Sequence, residues 1–176
     1  MVEGDNSPEV SGQEAKEPLV TEPPEEESIQ EPEAKHKVYL TFDDGPSKQT
    51  EAVLDILDEY GVKATFFVVG KEDEAAKQML AKIAEAGHSI GMHSYSHKYT
   101  EIYESLDSFK ADLEKIRSLV KEKAGVECSL YRFPGGSSNS IGKKHIQEFI
   151  GYLDEEKYKK TRINRKANDK IIIKKL

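Results

Sequence analysis

The chain of 176 residues has a single cysteine, Cys128, so an internal disulfide is excluded and the redox compartment is left open. A free cysteine packs as a small hydrophobe, and Cys128 is expected in that role at the start of a strand. No apolar run is long enough to span a bilayer, and Met1 is not followed by the basic, apolar and small-residue order of a signal peptide. The chain therefore reads as soluble, with no membrane span and no export signal of its own. Large apolar side chains are nearly missing from the first 37 residues, which hold eleven Asp/Glu, three Lys and five of the seven prolines. Such a segment cannot bury enough apolar surface to offset the entropy of ordering it, so residues 1–36 are expected to form a disordered acidic linker.

From residue 38 the pattern changes. Short strand-like runs at 38–42, 64–69, 88–92 and 129–133 alternate with helical stretches. Val53, Leu54, Leu57 and Tyr60 share one helical face; Ala76, Met79, Leu80 and Ile83 share a second; Leu106, Phe109, Leu113, Ile116 and Val120 share a third. These stripes are expected to be core. Each helix stops at a glycine, Gly61, Gly87 or Gly125, the residue best suited to a left-handed cap. Alternating strands and helices imply an α/β fold with a parallel sheet or barrel. Tyr39, Phe66 and Phe67 fit core positions on strands.

Two motifs fall just after strands, at the end where parallel α/β folds build their sites. Thr41-Phe42-Asp43-Asp44-Gly45-Pro46 supplies two adjacent carboxylates, and His93-Ser94-Tyr95-Ser96-His97 supplies two imidazoles four residues apart. Catalytic zinc-like ions are commonly held by three His and Asp/Glu ligands with a fourth position open to water. The chain offers one carboxylate more than that, and the spare one can act as a base. On a regular strand Asp43 and Asp44 would point opposite ways, so Gly45-Pro46 is expected to provide the turn that brings both into one pocket. His93 and His97, at i and i+4, are expected on one face of a helical turn. A third element, Arg132-Phe133-Pro134-Gly135-Gly136, brings a cation and a glycine turn to the same rim. The Arg would fix the orientation of one carboxylate, and backbone N–H groups of the turn could bind a developing oxyanion.

With these three elements in order, residues 37 to about 153 resemble the polysaccharide deacetylase family, also called the NodB homology domain or carbohydrate esterase family four. The resemblance implies a deformed (β/α) barrel and a metal-dependent hydrolase that removes N- or O-acetyl groups from a polysaccharide. Asp43 would be the base, Asp44, His93 and His97 the metal ligands, Arg132 the partner of Asp43, and the backbone at Gly135 an oxyanion contact. The cofactor implied is a divalent ion, Zn2+ first, with Co2+, Ni2+ or Mn2+ as alternatives. A water activated there would give its proton to Asp43 and attack the acetyl carbonyl. The acidic linker and the form of the third motif favour peptidoglycan amino sugars, outside the cell or at its wall, over chitin or xylan. Met92 departs from the family, whose members often place Asn before the first metal histidine. His36, His88 and His145 have no ligand spacing to another motif and are expected to be structural or solvated.

The resemblance also implies two later motifs, an Asp/Trp segment that orients the Arg and a Leu-x-His whose histidine protonates the leaving amine. The chain has no tryptophan, and His145 is its only histidine after Arg132. The domain is therefore expected to be a truncated one of about four βα units ending near residue 156, impaired in turnover or reduced to a metal- or glycan-binding remnant. Residues 157–176 hold nine Lys/Arg against one Asp and lack a helical face. They are read as unrelated to the domain, the product of a shifted frame in an A/T-rich gene. The rival is a basic arm for nucleic acid or anionic wall polymers.

Overall fold

A computed structural model of the protein describes Met1, residues 38–160 and the backbone of residues 170–175. Met1–Glu33 and Ala34–Leu176 form separate units, and every element below belongs to the second. The acidic linker expected over residues 1–36 lies, but for Met1, outside the described residues.

The chain alternates as its pattern predicts. Strand β1 (Val38–Gly45) is followed by α1 (Thr50–Glu59), β2 (Thr65–Val69), α2 (Glu74–Glu85) and β3 (Ser89–Ser94). Then come the short α3 (Tyr99–Ile102), the long α4 (Leu106–Ala124), β4 (Leu130–Tyr131), α5 (Ile146–Glu155), β5 (Lys159–Lys160) and β6 (Lys170–Lys175). Helix starts are set by side chains that accept otherwise unpaired amides: Asp73 accepts from the Ala76 N–H at 2.8 Å and Ser105 from that of Ser108 at 3.1 Å. At the other ends Gly61, Gly87 and Gly125 all take positive φ, as expected.

The strands form one sheet in the order β5-β4-β3-β2-β1-β6, every pair parallel. Among the described residues its end strands are not bonded to each other, so it is an open, deformed part of a (β/α) barrel. Two of its strands were not expected. β5 and β6 come from the basic segment read as unrelated to the domain; β5 pairs with β4, and β6 runs beside β1 from Val38↔Lys170 to Asp43↔Lys175. Parallel pairing uses only backbone groups, so a basic composition does not bar it, and Ile171, Ile172 and Ile173 are strong strand formers. Residues 161–169 of that segment lie outside the described ones. Among the described residues no helix is long and apolar enough to cross a membrane.

The sheet has two unlike faces. Phe66, Val68, Ile90, Met92 and Tyr131 pack into the core with the helical stripes, including Leu54, Leu57, Leu80, Ile83, Phe109, Leu113, Ile116 and Val120. Cys128 is buried there as expected, its thiol donating to the Ile90 carbonyl at 3.1 Å. Thr41, Asp43, Phe67 and Arg132 are equally buried but lie on the opposite face. Tyr39 corrects the expectation of a core position: it is 50% exposed, because β2 pairs with β1 only from Thr41 onward and Tyr39 overhangs it.

Candidate functional site

The candidate residues converge at the carboxyl ends of β1, β3 and β4, but not by the local geometry the sequence suggested. Asp44 lies within β1. It is the extra residue between the pairs Asp43↔Phe67 and Gly45↔Val68, and its φ is 69°. A β-bulge of this kind re-aims one side chain without ending the strand, and Asp is among the few residues that tolerate a left-handed backbone. The bulge itself therefore breaks the alternation of Asp43 and Asp44, before Gly45-Pro46 is reached.

His93 sits at the same kind of irregularity. It falls between Val68↔Met92 and Val69↔Ser94, where β3 carries one residue more than β2. The expected helical turn is absent, because parallel pairing continues through Ser94. His97 instead lies in the loop beyond, with φ 55° and its N–H on Ser94 Oγ at 2.6 Å. The two imidazoles still meet, with ring centroids 5.4 Å apart.

Asp44 Oδ1 lies 3.4 Å from His93 Nε2 and 3.1 Å from His97 Nε2. One ligand atom from each of the three residues lies within 4.8 Å of the others. A tetrahedral ion with bonds of about 2.0–2.1 Å sets its ligand atoms roughly 3.3 Å apart, so this donor set fits a divalent ion of zinc type. The outer contact agrees with it. His93 Nδ1 lies 2.7 Å from the Arg132 carbonyl, which can only accept, so Nδ1 carries a proton and Nε2 is the nitrogen left on the side of Asp44, where an ion would sit. Met92, the departure noted above, is fully buried on the other face, and its carbonyl accepts the Arg132 N–H at 3.0 Å.

Arg132 reaches the second carboxylate as well. Its Nη1 donates to Asp43 Oδ1 at 2.6 Å and to Thr41 Oγ1 at 2.9 Å. The guanidinium lies 3.9 Å from the centroid of the Phe67 ring, so Phe67 is a cation–π platform and not merely core. Both members of the ion pair are buried, Asp43 6% and Arg132 5% exposed. Among the described residues Nε and Nη2 of Arg132 are buried without a hydrogen-bond partner. A buried, incompletely satisfied ion pair adds little to stability, so its place here is explained by what it orients.

Gly135 lies in the turn after β4 with φ 70°, and a Cβ there would come within 2.8 Å of the Tyr99 ring. Only glycine fits both constraints. Tyr99 stands edge-on to His97, centroids 5.4 Å apart, and thus separates the histidine loop from the glycine turn. Tyr103 Oη donates to the Pro134 carbonyl at 2.7 Å; burial raises this phenol far above its ordinary range. Sequence reading passed over Thr41, Phe67, Tyr99 and Tyr103. Their spacing marks strands and a helix, and nothing in it marks a site.

The remaining described histidines stay apart from this cluster. His88 precedes β3, at the far end of the strands, and its Nδ1 accepts from the Ala64 N–H at 3.3 Å. His145 precedes α5, where Nδ1 lies 3.3 Å from Glu148 Oε2 and the ring stacks on Phe149.

Comparison with known proteins gives consistent findings. Residues 30–152 match a family model described as polysaccharide deacetylase. The chain is 37% identical over 107 residues to a peptidoglycan-N-acetylglucosamine deacetylase of Bacillus cereus, covering 60% of this chain and 38% of that protein. It is 35% identical over 116 residues to the peptidoglycan-N-acetylglucosamine deacetylase PgdA of Listeria monocytogenes, covering 65% and 24%. The chain thus spans less than half of the length of either relative. Among solved structures, the catalytic domain of peptidoglycan N-acetylglucosamine deacetylase from Eubacterium rectale superposes with a TM-score of 0.72 at 34% identity, covering 78% of this chain and 75% of that one.

Proposed function

The chain belongs to the polysaccharide deacetylase family, and from that premise we propose that it is a metal-dependent hydrolase removing N-acetyl, or O-acetyl, groups from peptidoglycan amino sugars at the cell wall. Residues 37–156 carry the candidate site of the domain, and β5 and β6 add two strands to its sheet. The observation that supports this best is the double engagement of Arg132. Its carbonyl sets His93 while its guanidinium holds Asp43, which ties the candidate metal ligands to a candidate base through one residue.

Asp44, His93 and His97 would hold the ion, Zn2+ first, with Co2+, Ni2+ or Mn2+ able to take the same ligands. Bound there, it supplies Lewis acidity towards the acetyl carbonyl and acidifies water. The protein's own groups do the rest. Arg132 engages Asp43 Oδ1, leaving the other oxygen to take the proton of the attacking water. The backbone at Gly135 would meet the negative charge that develops on the carbonyl oxygen, while the Gly136 N–H is engaged by the Phe133 carbonyl at 2.8 Å. The C–N bond then breaks to give acetate, and the amine leaves with a proton. Among the described residues neither His88 nor His145 lies in this cluster, and activated aryl acetates, whose leaving group needs no proton, are expected to be hydrolysed more readily than N-acetyl sugars.

The test is to titrate the chain with Zn2+ and to follow acetate release from N-acetylglucosamine oligomers and from an aryl acetate. Metal uptake that is lost in a His93→Ala, His97→Ala double variant, with hydrolysis abolished by chelation, is expected. Equal uptake by wild type and double variant rejects the metal site. Uptake without hydrolysis of either substrate makes the chain a metal- or glycan-binding module.

A further inference from the structure

The segment that delivers His97 is short and backbone-rich. Between Ser94 and Lys98 its peptide groups are gripped from two sides. Just past β2, the Gly70 N–H donates to the carbonyls of both Ser94 and Tyr95 at 3.1 Å. The approach is so close that a Cβ on Gly70 would lie 2.6 Å from the Tyr95 oxygen. From α4, the Asp112 carboxylate accepts the Tyr95 N–H on Oδ2 at 2.8 Å and the Ser96 N–H on Oδ1 at 2.9 Å.

Asp112 is out of place by the ordinary rules of a helix. It is 9% exposed, on the buried side of α4 with Phe109, Leu113 and Ile116. Among the described residues no Lys or Arg pairs with it. A buried carboxylate is costly unless its lone pairs are used, and both of its oxygens are spent on two consecutive amides of one loop. An apolar residue would serve the core of α4 better, so the carboxylate is explained by the loop it grips.

We infer that Asp112 is a positioning residue of the metal centre: it fixes the Tyr95 and Ser96 peptides so that the chain enters the left-handed turn at His97 with Nε2 already facing Asp44. This rests on the reading that Asp44, His93 and His97 hold a divalent ion. Partners one step removed from a metal typically change its affinity by about 10–100-fold when altered. Asp112 acts through backbone and not on a ligand ring, which places it near the lower bound.

The experiment uses the full chain, with Zn2+ affinity by calorimetry and the visible spectrum of the Co2+ form. Asp112→Asn keeps the shape but replaces one acceptor oxygen with a donor. It is expected to weaken Zn2+ binding about 10-fold and to change the Co2+ bands as His97 is displaced, with part of the affinity returning in Asp112→Glu. Val120→Ala, at a fully buried position of α4, lowers the melting temperature and leaves both readouts unchanged. An Asp112→Asn protein with wild-type Zn2+ affinity and Co2+ spectrum overturns the inference alone, whereas a wild type that binds no ion overturns the metal site and this inference with it. If Asp112→Asn does not fold, amide exchange of the metal-free wild type decides. Tyr95 and Ser96 amides protected before any metal is added support the inference; protection that arises only with metal refutes it.

Discussion

The two faces of this sheet solve opposite problems with the same strands. On the helix side Phe66, Val68, Ile90, Met92 and Tyr131 meet apolar stripes, and contact lengths there are those of ordinary packing, such as Phe109 stacked on Phe149 with centroids 4.6 Å apart. On the other side Thr41, Asp43, His93 and Arg132 are as deeply buried, yet they are held by hydrogen bonds and one ion pair. The first face stabilises the fold. The second uses stability drawn from the first to keep charges where bulk water would otherwise screen them.

The sharpest way to break this contrast is at Asp43. Asp43→Asn is expected to lower acetyl hydrolysis by about 10²–10⁴-fold, the range for loss of an acid–base group. It should also destabilise the chain by roughly 3–5 kcal/mol, because it leaves Arg132 buried without a counter-charge. Adding Arg132→Met should restore most of that stability and none of the activity, as read by denaturant melts beside acetate release. If the double variant is no more stable than the single one, the inner face is not the burden described.

Phe109→Ala reverses the emphasis. The ring is fully buried and its loss should cost about 3–5 kcal/mol, with Zn2+ affinity unchanged below the lowered melting temperature. A large drop in affinity instead would show that the faces are not separable. A smaller effect is expected from Tyr103→Phe, which strips the Pro134 carbonyl of its donor at roughly 1–3 kcal/mol. It should reduce turnover of acetyl substrates while leaving metal affinity as it was.

The smallest effect is a pH dependence on the helix side. Burial, aided by Lys63, holds His88 below its ordinary range, and the ring accepts the Ala64 N–H only while Nδ1 is unprotonated. Its contribution is therefore complete above the unfolded value of about 6.5. It declines as the pH falls from there through the lower folded value, where the unfolded chain binds the extra proton. His88→Asn, whose Oδ1 can replace Nδ1 as acceptor, should flatten that slope in melting temperature against pH; an unchanged slope would assign it to other groups.

The helix side was legible in the sequence because packing there follows a period. The stripes through Leu54, Leu80 and Phe109 are regular, and their glycine stops fall where the helices end. That Asp44, His93 and His97 gather at one end of the strands was legible too, whereas Thr41 and Phe67 beside Arg132 were not. How the three meet was not legible either. Asp44 and His93 converge through two bulges, and His97 through a left-handed backbone, and neither leaves a mark on residue type. A helical spacing of i and i+4 described His93 and His97 equally well. Asp112 did leave a trace, an acid three residues after Phe109 on an apolar stripe, but charges on helices usually face water and nothing local says when one does not. β6 left only the run Ile171, Ile172 and Ile173, which marks a strand but not its partner, because the pairing is a property of backbone.

β4 is only two residues long and is registered on β3 by the single pair Met92↔Tyr131. A slip of one position would exchange Tyr131 and Arg132 between the faces, thrusting a guanidinium among aromatic rings and a phenol into the candidate site. The same event would release His93 and Asp43 together, since one residue secures both. This two-residue strand is thus the keystone of the sheet: one alignment sets both the backbone beside His93 and the cation beside Asp43.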